Sequence, residues 1–379
     1  LHTPPNKPPQ HSLLFLCSKL GGGGAEKHLV RILNHFPLDD LAVHLALTRP
    51  SGGYEKDLDP RVHRHYLATS RSSTLALLKS AKPLSHLIRQ VRPTHVISIM
   101  DRQNVLAAWT RKKYFPVSPP FKLVLCCQVA PSKDLASTML GKLISRAIPP
   151  LYNLADKTIA ISAGVKEDLR CAFQVKTQID VIYNAGWDES LQALQNCPID
   201  LKKHPFQFIA CGRLVPQKGF DILLRSVSLL PKNLDAHCWI LGDGPQLHAL
   251  ERLAKKLGIE DRVRFLGFQS NPYSYMRSAD ALVLSSRWEG FGNVIVEAMA
   301  CGLPVISTDC DFGPSEIITD YENGLLVPAD QPQSLADAMK TIATDPSIRE
   351  KLRRAGLVRA EAFAASRISQ QYLDAILTS

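Results

Sequence analysis

Twice along this chain, short apolar runs alternate with longer amphipathic segments, and few folds tolerate that pattern. In the first series the runs SLLFLCS (12–18), LAVHLALT (41–48), THVISIM (94–100), KLVLCCQ (122–128), KTIAIS and DVIYNAGW read as buried parallel strands. Of the segments between them, KLGGGGAEKHLVRILNHF reads as a glycine loop followed by an amphipathic helix, and STLALLKSAKPLSHLIRQVRP with a proline kink, DRQNVLAAWTRKKYF, DLASTMLGKLISRAIPPLYNLAD and AGVKEDLRCAF read as helices. Residues 49–63 read as loop. A second series starts with FQFIACG (206–212) and continues through AHCWILG, RVRFLGF, ALVLSS, PVIST and LLVPA, with helices between and two or three at the end. Parallel strands need a crossover between them, so strict alternation specifies a doubly wound α/β sheet. The 379 residues hold two such domains, each long enough for its own core. The expected division is 1–188 and 206–363, joined by ESLQALQNCPIDLKKHP (189–205), which lacks a sustained period of two and reads as a linker.

Composition narrows the class. Hydrophobic residues make up 45% and charged residues 21%, the balance of a globular protein. No apolar run approaches the roughly 18 residues of a membrane span. The opening, LHTPPNKPPQH, is polar and proline-rich, shows no secretory leader pattern and is expected to be loosely held. Nine scattered cysteines without a C-x-x-C pair are expected to be buried, reduced thiols of a cytoplasmic protein. The net charge of +10 is uneven: residues 1–150 carry +13 and the remainder −3. That asymmetry fits either an anionic partner of the first domain or solvated lysines. Nucleic acid is not an expected partner, because zinc-finger spacing, RNP-type aromatics and a basic helix running into heptads are all lacking. The stretch RKKYFPVSPPFK (111–122) mixes cations with aromatic rings, a composition suited to an anionic membrane surface as well as to a solvated loop.

The candidate chemistry gathers in SSRWEGFGNVIVEAMACGLPVISTD (285–309). A polar loop runs into a helix that ends at Gly302, with Pro304 beyond it. Glu289 lies in the loop and Glu297 inside the helix. The amides of Phe291, Gly292 and Asn293 stand at the helix N-terminus, where free N–H groups and the positive pole of the dipole favour anions. Carboxylates beside a phosphate repel it, so the two glutamates are better suited to hydroxyls. Phosphate plus hydroxyls describes a nucleotide sugar. Arg213 and Lys218 flank the turn GRLVPQKG after the first strand of the second domain. Either alone is ordinary surface decoration; beside Gly212 and the helix end at Gly292 they suit a diphosphate. In the first domain Gly21–Gly24 permit close backbone approach to a ligand, although they are not a G-x-G-x-x-G motif. Asp101, Arg102 and Asn104 follow a strand end and are expected to be exposed to the zone where open parallel sheets collect ligands. No carboxylate or histidine cluster has metal-ligand spacing, so neither a metal nor another cofactor is expected.

These residues resemble the retaining family 4 glycosyltransferases of the GT-B fold. The likeness rests on GRLVPQKGFDILL, LGDGPQ, FLGF and EGFGNVIVEAMACGLPVISTD, extended by GGGGAE and VIYNAGWD, and covers nearly the whole chain from about residue 12. It implies two Rossmann-like domains facing across a cleft, the first for the acceptor and the second for a nucleotide-sugar donor, UDP being the commonest. It implies that Arg213 and Lys218 clasp the diphosphate and that Glu297 accepts from the ribose hydroxyls. Glu289 is then expected at the transferred sugar, backbone at Phe291, Gly292 and Asn293 at sugar and phosphate, and the base near Gly267, Phe268 and Gln269. Gly22 and Gly23 approach the donor from the first domain. The last helix (364–379) packs back on that domain. The sequence departs from the family where relatives often carry a histidine after the strand LVLCCQ; Gln128 stands there, so sugar recognition on that side differs. The acceptor is expected to be a glycan or a polyprenyl-diphosphate-linked glycan, with the enzyme in the cytoplasm at the inner face of the membrane. A nucleotide-sugar epimerase, a phosphorylase and a catalytically inactive binding protein on the same fold are the alternatives.

Overall fold

The computed structural model describes residues 11–21, 23–49, 52–67, 79–135, 139–201 and 204–379. Among these, thirteen strands form two sheets in which every pair is parallel. The first contains His11–Cys17 (β1), Leu41–Leu47 (β2), His63–Tyr66 (β3), His95–Ile99 (β4), Lys122–Cys127 (β5), Lys157–Ala160 (β6) and Ile179–Val181 (β7). Its order is β3-β2-β1-β4-β5-β6-β7. The second contains Phe206–Cys211 (β8), Ala236–Leu241 (β9), Val263–Gly267 (β10), Ala281–Leu284 (β11), Val305–Asp309 (β12) and Leu325–Pro328 (β13), in the order β10-β9-β8-β11-β12-β13.

The central strands are apolar on both faces because helices cover both. In β1, Leu13, Phe15 and Cys17 join Leu29, Ile32 and Leu33 of helix Gly24–Asn34 and Ile368, Tyr372 and Ile376 of helix Ala365–Leu377 in one core. Leu14 and Leu16, on the other face, are fully buried too. The second core is separate. It joins Phe206, Phe208 and Ala210 of β8 to Leu223, Leu224 and Val227 of helix Phe220–Leu229. The chain divides into one unit of residues 1–185 with 365–379 and another of 186–364. Helix Ala365–Leu377 therefore belongs to the first unit. Ser369 Oγ donates to Ile32 O at 3.2 Å. The buried Lys157 ammonium donates to Ala375 O at 2.9 Å and Thr378 Oγ1 at 3.1 Å, placing a cation on the negative pole of that helix.

Two sequence expectations need correction. Residues 189–205 are not a free linker: Ser190–Gln195 is a helix within the second unit that packs on helix Tyr273–Ser278, and Asn271 Nδ2 donates to Leu194 O at 2.8 Å. Six residues are too few to display a period, which is why the segment read as irregular. The loop 49–63 leads into β3, whose sequence HRHY is polar because it is the outermost strand of its sheet and is largely exposed. Of the cysteines, Cys17, Cys126, Cys127, Cys238, Cys301 and Cys310 are buried free thiols, whereas Cys171 and Cys197 are exposed. Among the described residues no helix is long and apolar enough to cross a membrane. The polar opening, residues 1–10, lies outside the described residues.

Candidate functional site

In the second sheet the chain runs outward from β8 through β9 to β10, then returns to the other side of β8 with β11. The loops after β8 and β11 consequently diverge at one point, and such switch points in open parallel sheets leave a crevice at the carboxyl ends of the strands. The loop after β8 carries Gly212, Arg213 and a tight turn, Pro216–Lys218, ending at Gly219. The loop after β11 carries Ser285–Gly292 and runs into helix Asn293–Ala300.

Backbone contacts lock the two loops together. Gly219 has φ +59°, and a Cβ there would lie 2.0 Å from Ser285 O, so only glycine lets the loops approach this closely. Ser285 Oγ donates to Lys218 O at 3.0 Å, Arg287 N to Gln217 O at 2.8 Å, and Gln217 Nε2 to Trp288 O at 3.0 Å. The Arg287 guanidinium grips Asp221 through two hydrogen bonds of 2.9 and 2.8 Å, holding the Asp221 carboxyl below its usual range. Within this frame Lys218 Nζ meets Glu289 Oε1 at 2.5 Å, and Ser286 Oγ donates to the same oxygen at 2.6 Å. Glu289 is 6% exposed, so its charge relies on these two partners. The Lys218 stem crosses Gly212, 3.6 Å from where a Cβ would stand, and Arg213 extends into solvent beside it. Below Glu289, burial together with the nearby carboxylate pushes the Cys310 thiol up to about 12.

Helix Asn293–Ala300 begins at Gly292, whose φ of +101° turns the chain into the helix. The turn is buttressed from outside: Gly313 lies against Phe291, where a Cβ would come within 2.3 Å of Phe291 O, and the Phe291 ring packs edge-on to Phe363 at 5.4 Å. One turn into the helix, Glu297 is buried and accepts from Tyr273 OH at 3.0 Å. After β10, Gly267 has φ +67°, Phe268 is exposed, and Gln269 Oε1 accepts from Tyr275 OH at 3.0 Å. Gly212, Arg213, Lys218, Gly267, Phe268, Gln269, Glu289, Phe291, Gly292, Asn293 and Glu297 all therefore follow strands or open the helix at the carboxyl side of this sheet. Sequence reading missed Ser286 and Tyr273. Ser286 lies within the stretch 285–309, but Tyr273 has no local signal.

The first unit repeats the topology, with its switch point between β1 and β4. Gly23 caps helix Gly24–Asn34; Gly22 lies outside the described residues. The expectation that Asp101 and Asn104 are open to this zone is wrong, and only Arg102 is exposed. Met100 has φ +78° and swings Asp101 inward, where it is 4% exposed and accepts from Tyr152 OH at 2.8 Å. Asn104 accepts from Ser98 Oγ at 2.6 Å and donates to Cys126 O at 3.1 Å. Asp101 Oδ2 has no partner among the described residues, and burial raises the Asp101 carboxyl to about 7, with Asp134 and Asp168 adding to the shift. Gln128 is buried beside the Tyr372 hydroxyl, yet neither amide atom completes a well-formed hydrogen bond among the described residues. Sequence reading also missed His28. Burial lowers it to about 3, so it is neutral, and Nδ1 accepts from Ala185 N at 2.9 Å.

Away from either crevice, the fold gathers one group that has no spacing signal in the sequence. His204, Asp235 and His237 place one ligand atom each within 4.8 Å of one another.

Residues 22–185 match the family described as Glycosyltransferase Family 4, and residues 197–359 that described as Glycosyl transferases group 1. The N-acetylgalactosamine-N,N'-diacetylbacillosaminyl-diphospho-undecaprenol 4-alpha-N-acetylgalactosaminyltransferase of Campylobacter jejuni is 30% identical over 96% of this chain and 98% of its own length. The chain belongs to glycosyltransferase family 4. A second member, the lipopolysaccharide core biosynthesis glycosyltransferase LpsD of Rhizobium meliloti, is 27% identical over 93% of this chain and 94% of its own. This glycosyltransferase also shares the fold of HepE from Anabaena, solved in complex with UDP and glucose, with a TM-score of 0.81, 22% identity and coverage of 98% and 100%. The apo lipopolysaccharide outer core galactosyltransferase WaaB gives 0.73, 22% identity and coverage of 97% and 99%. The architecture is thus GT-B, with two Rossmann-like domains, and the chain is an enzyme of the glycosyltransferase class.

Proposed function

We propose that this glycosyltransferase moves a hexose or N-acetylhexosamine from a UDP-sugar to a lipid-linked or glycan acceptor in polysaccharide or lipopolysaccharide assembly, with retention and without a metal. The observation that carries this reading is the Lys218–Glu289 pair, held at 2.5 Å at the switch point beside Arg213 and ahead of the helix starting at Asn293. Lys218 and Arg213 bring two cations where a diphosphate has to be held, and the helix adds its positive pole. Glu289 takes a sugar hydroxyl, and Glu297, already accepting from Tyr273, takes the ribose hydroxyls. The base lies against Gly267–Gln269. Of the acceptor-side candidates only Arg102 is exposed; Asp101 and Gln128 are buried and are left with a supporting role at most.

In the proposed reaction the bond between the anomeric carbon and the diphosphate oxygen breaks through an oxocarbenium-like state. The acceptor hydroxyl bonds to that carbon from the face the diphosphate leaves, and its proton passes to a phosphate oxygen. Lys218, Arg213 and the helix N-terminus stabilise the negative charge that develops on the leaving group. Relatives support the substrate classes: the Campylobacter enzyme's name specifies an undecaprenol-linked acceptor, LpsD is named for lipopolysaccharide core, and HepE was crystallised with UDP and glucose. The test is incubation with UDP-sugars, with and without a polyprenyl-diphosphate glycan. The expected result is transfer that needs the acceptor, retains anomeric configuration and proceeds unchanged in EDTA. Epimerised donor, sugar phosphate formed from inorganic phosphate, or loss of the reaction in EDTA contradicts the reading.

Membrane contact at the cytoplasmic face belongs to the same proposal, but its support has moved from the 111–122 loop. There Phe121 is buried, Phe115 lies under the Arg89 guanidinium at 4.9 Å and Arg111 pairs with Asp156, leaving Lys112, Lys113 and Val117 outermost. Helix Met139–Tyr152 is better suited. Met139, Lys142, Leu143 and Arg146 share one exposed face, two apolar groups with two cations. Flotation with anionic liposomes is expected to carry the protein, and a Met139→Glu, Leu143→Glu variant to remain behind. A wild-type protein that does not float sinks the membrane claim alone.

A further inference from the structure

We propose that His204, Asp235 and His237 form a site for a zinc-class divalent ion at the opposite end of the second sheet from the donor crevice, with a structural rather than catalytic task. The site arises from strand register. In the parallel pair β8–β9, Phe206 lies opposite Ala236 and Gln207 opposite His237, so the chain entering β8 runs alongside the chain entering β9. That places His204, two residues before β8, over His237: the imidazole rings stack with centroids 3.4 Å apart and an interplanar angle of 12°. Asp235 Oδ1 lies 2.9 Å from His237 Nε2. One nitrogen from each histidine and one carboxylate oxygen fall within 4.8 Å of each other. Zinc bonds of about 2.0–2.2 Å hold ligand atoms roughly 3.3–3.5 Å apart in a tetrahedron, so an ion here takes the place of the His237–Asp235 hydrogen bond and draws His204 in.

Two imidazoles and a carboxylate are a donor set for zinc, nickel or cobalt rather than for magnesium or calcium, which prefer oxygen alone. The cleft beside the rings, about 250 Å³, is also lined by Glu260 and Asp261. It has room for a fourth ligand, either a water molecule or one of those carboxylates. An ion there would tie the segment entering β8 to the start of β9. It lies at the amino ends of β8 and β9, whereas Arg213 and Lys218 follow the carboxyl end of β8, so the reaction does not pass through it.

The test uses the full chain, purified without a polyhistidine tag and stripped with EDTA. Titration of ZnCl2 by calorimetry is expected to show one ion per chain. His237→Ala and Asp235→Asn are each expected to weaken binding at least tenfold, in line with the usual effect of removing a ligand or its support. Both positions are at the surface side of the sheet; circular dichroism verifies that each variant is folded, and either variant alone carries the test. Zinc is expected to raise the melting temperature of the wild type and not of the variants, while the shift caused by UDP is the same in all three. Absence of zinc binding, or binding equally tight in both variants, overturns the site. If UDP binding fails in every protein while zinc binding behaves as stated, the donor assignment falls and the metal site stands.

Discussion

Replacing Lys218 by alanine is expected to lower kcat by about 10²–10³ and, separately, to destabilise the fold by about 3 kcal/mol. The two losses have different origins. The catalytic one comes from removing a preorganised cation at the departing diphosphate. The stability loss comes from Glu289, which is nearly buried and, among the described residues, keeps only Ser286 as a side-chain partner once the 2.5 Å ion pair is gone. The figure is taken at the low end of the range for broken buried pairs because the Lys218 side chain is itself 21% exposed. A Lys218→Met, Glu289→Gln double variant separates the effects. It carries no stranded charge, so its urea midpoint is expected to return close to that of the wild type while its rate stays low. A Lys218→Ala enzyme with wild-type kcat removes Lys218 from the mechanism. A double variant that recovers its rate along with its stability shows that the pair only holds the loop in place.

Asp101→Asn is expected to make the protein more stable than the wild type above neutral pH. The folded-state carboxyl is raised to about 7 from an ordinary 3.8 by burial, by Asp134 and by Asp168. A group whose folded pKa is raised favours the folded state while protonated. That contribution is complete below about pH 4, declines as the pH rises toward 7 and is lost above it, when the buried carboxyl must ionise. Three pH units at about 1.4 kcal/mol each set an upper limit near 4 kcal/mol. Asparagine keeps the oxygen that accepts from Tyr152 and cannot ionise. The difference in unfolding free energy, variant minus wild type, is therefore expected to grow by about 2–4 kcal/mol between pH 4.5 and pH 8. A difference that stays constant over that window shows that Asp101 is ionised in the folded protein throughout.

How much of this was legible in the sequence depended on whether the information is local. The alternating apolar runs β1, β2, β4 and β5 carry their own period, and each lies within a residue or two of its expected limits. Of the helix expected over 73–93, Ala81–Val91 is helical with Pro83 in its first turn rather than at a kink, and residues 73–78 lie outside the described residues. β3 was missed because an edge strand has no need of an apolar face. The short helix Ser190–Gln195 was missed because its stability comes from packing on Tyr273–Ser278 rather than from its own pattern. In the site, Lys218 and Glu289 were both chosen from their loops, but their contact spans 71 positions and follows from β8 lying beside β11, which no local pattern encodes. Asp101 misled for the same reason. Its place after a strand suggested an open carboxylate, while the positive φ of Met100 and the distant Tyr152 turned it inward. His204 and His237 became neighbours only through the register of two parallel strands.

The central claim is that the crevice between the loops after β8 and β11 grips a nucleoside diphosphate. A crystal structure of the protein with UDP tests it most directly. The β-phosphate is expected within hydrogen-bonding distance of Lys218 and Arg213, with both ribose hydroxyls donating to Glu297. UDP bound elsewhere on the molecule, or in this crevice with its phosphates turned away from both cations, contradicts it.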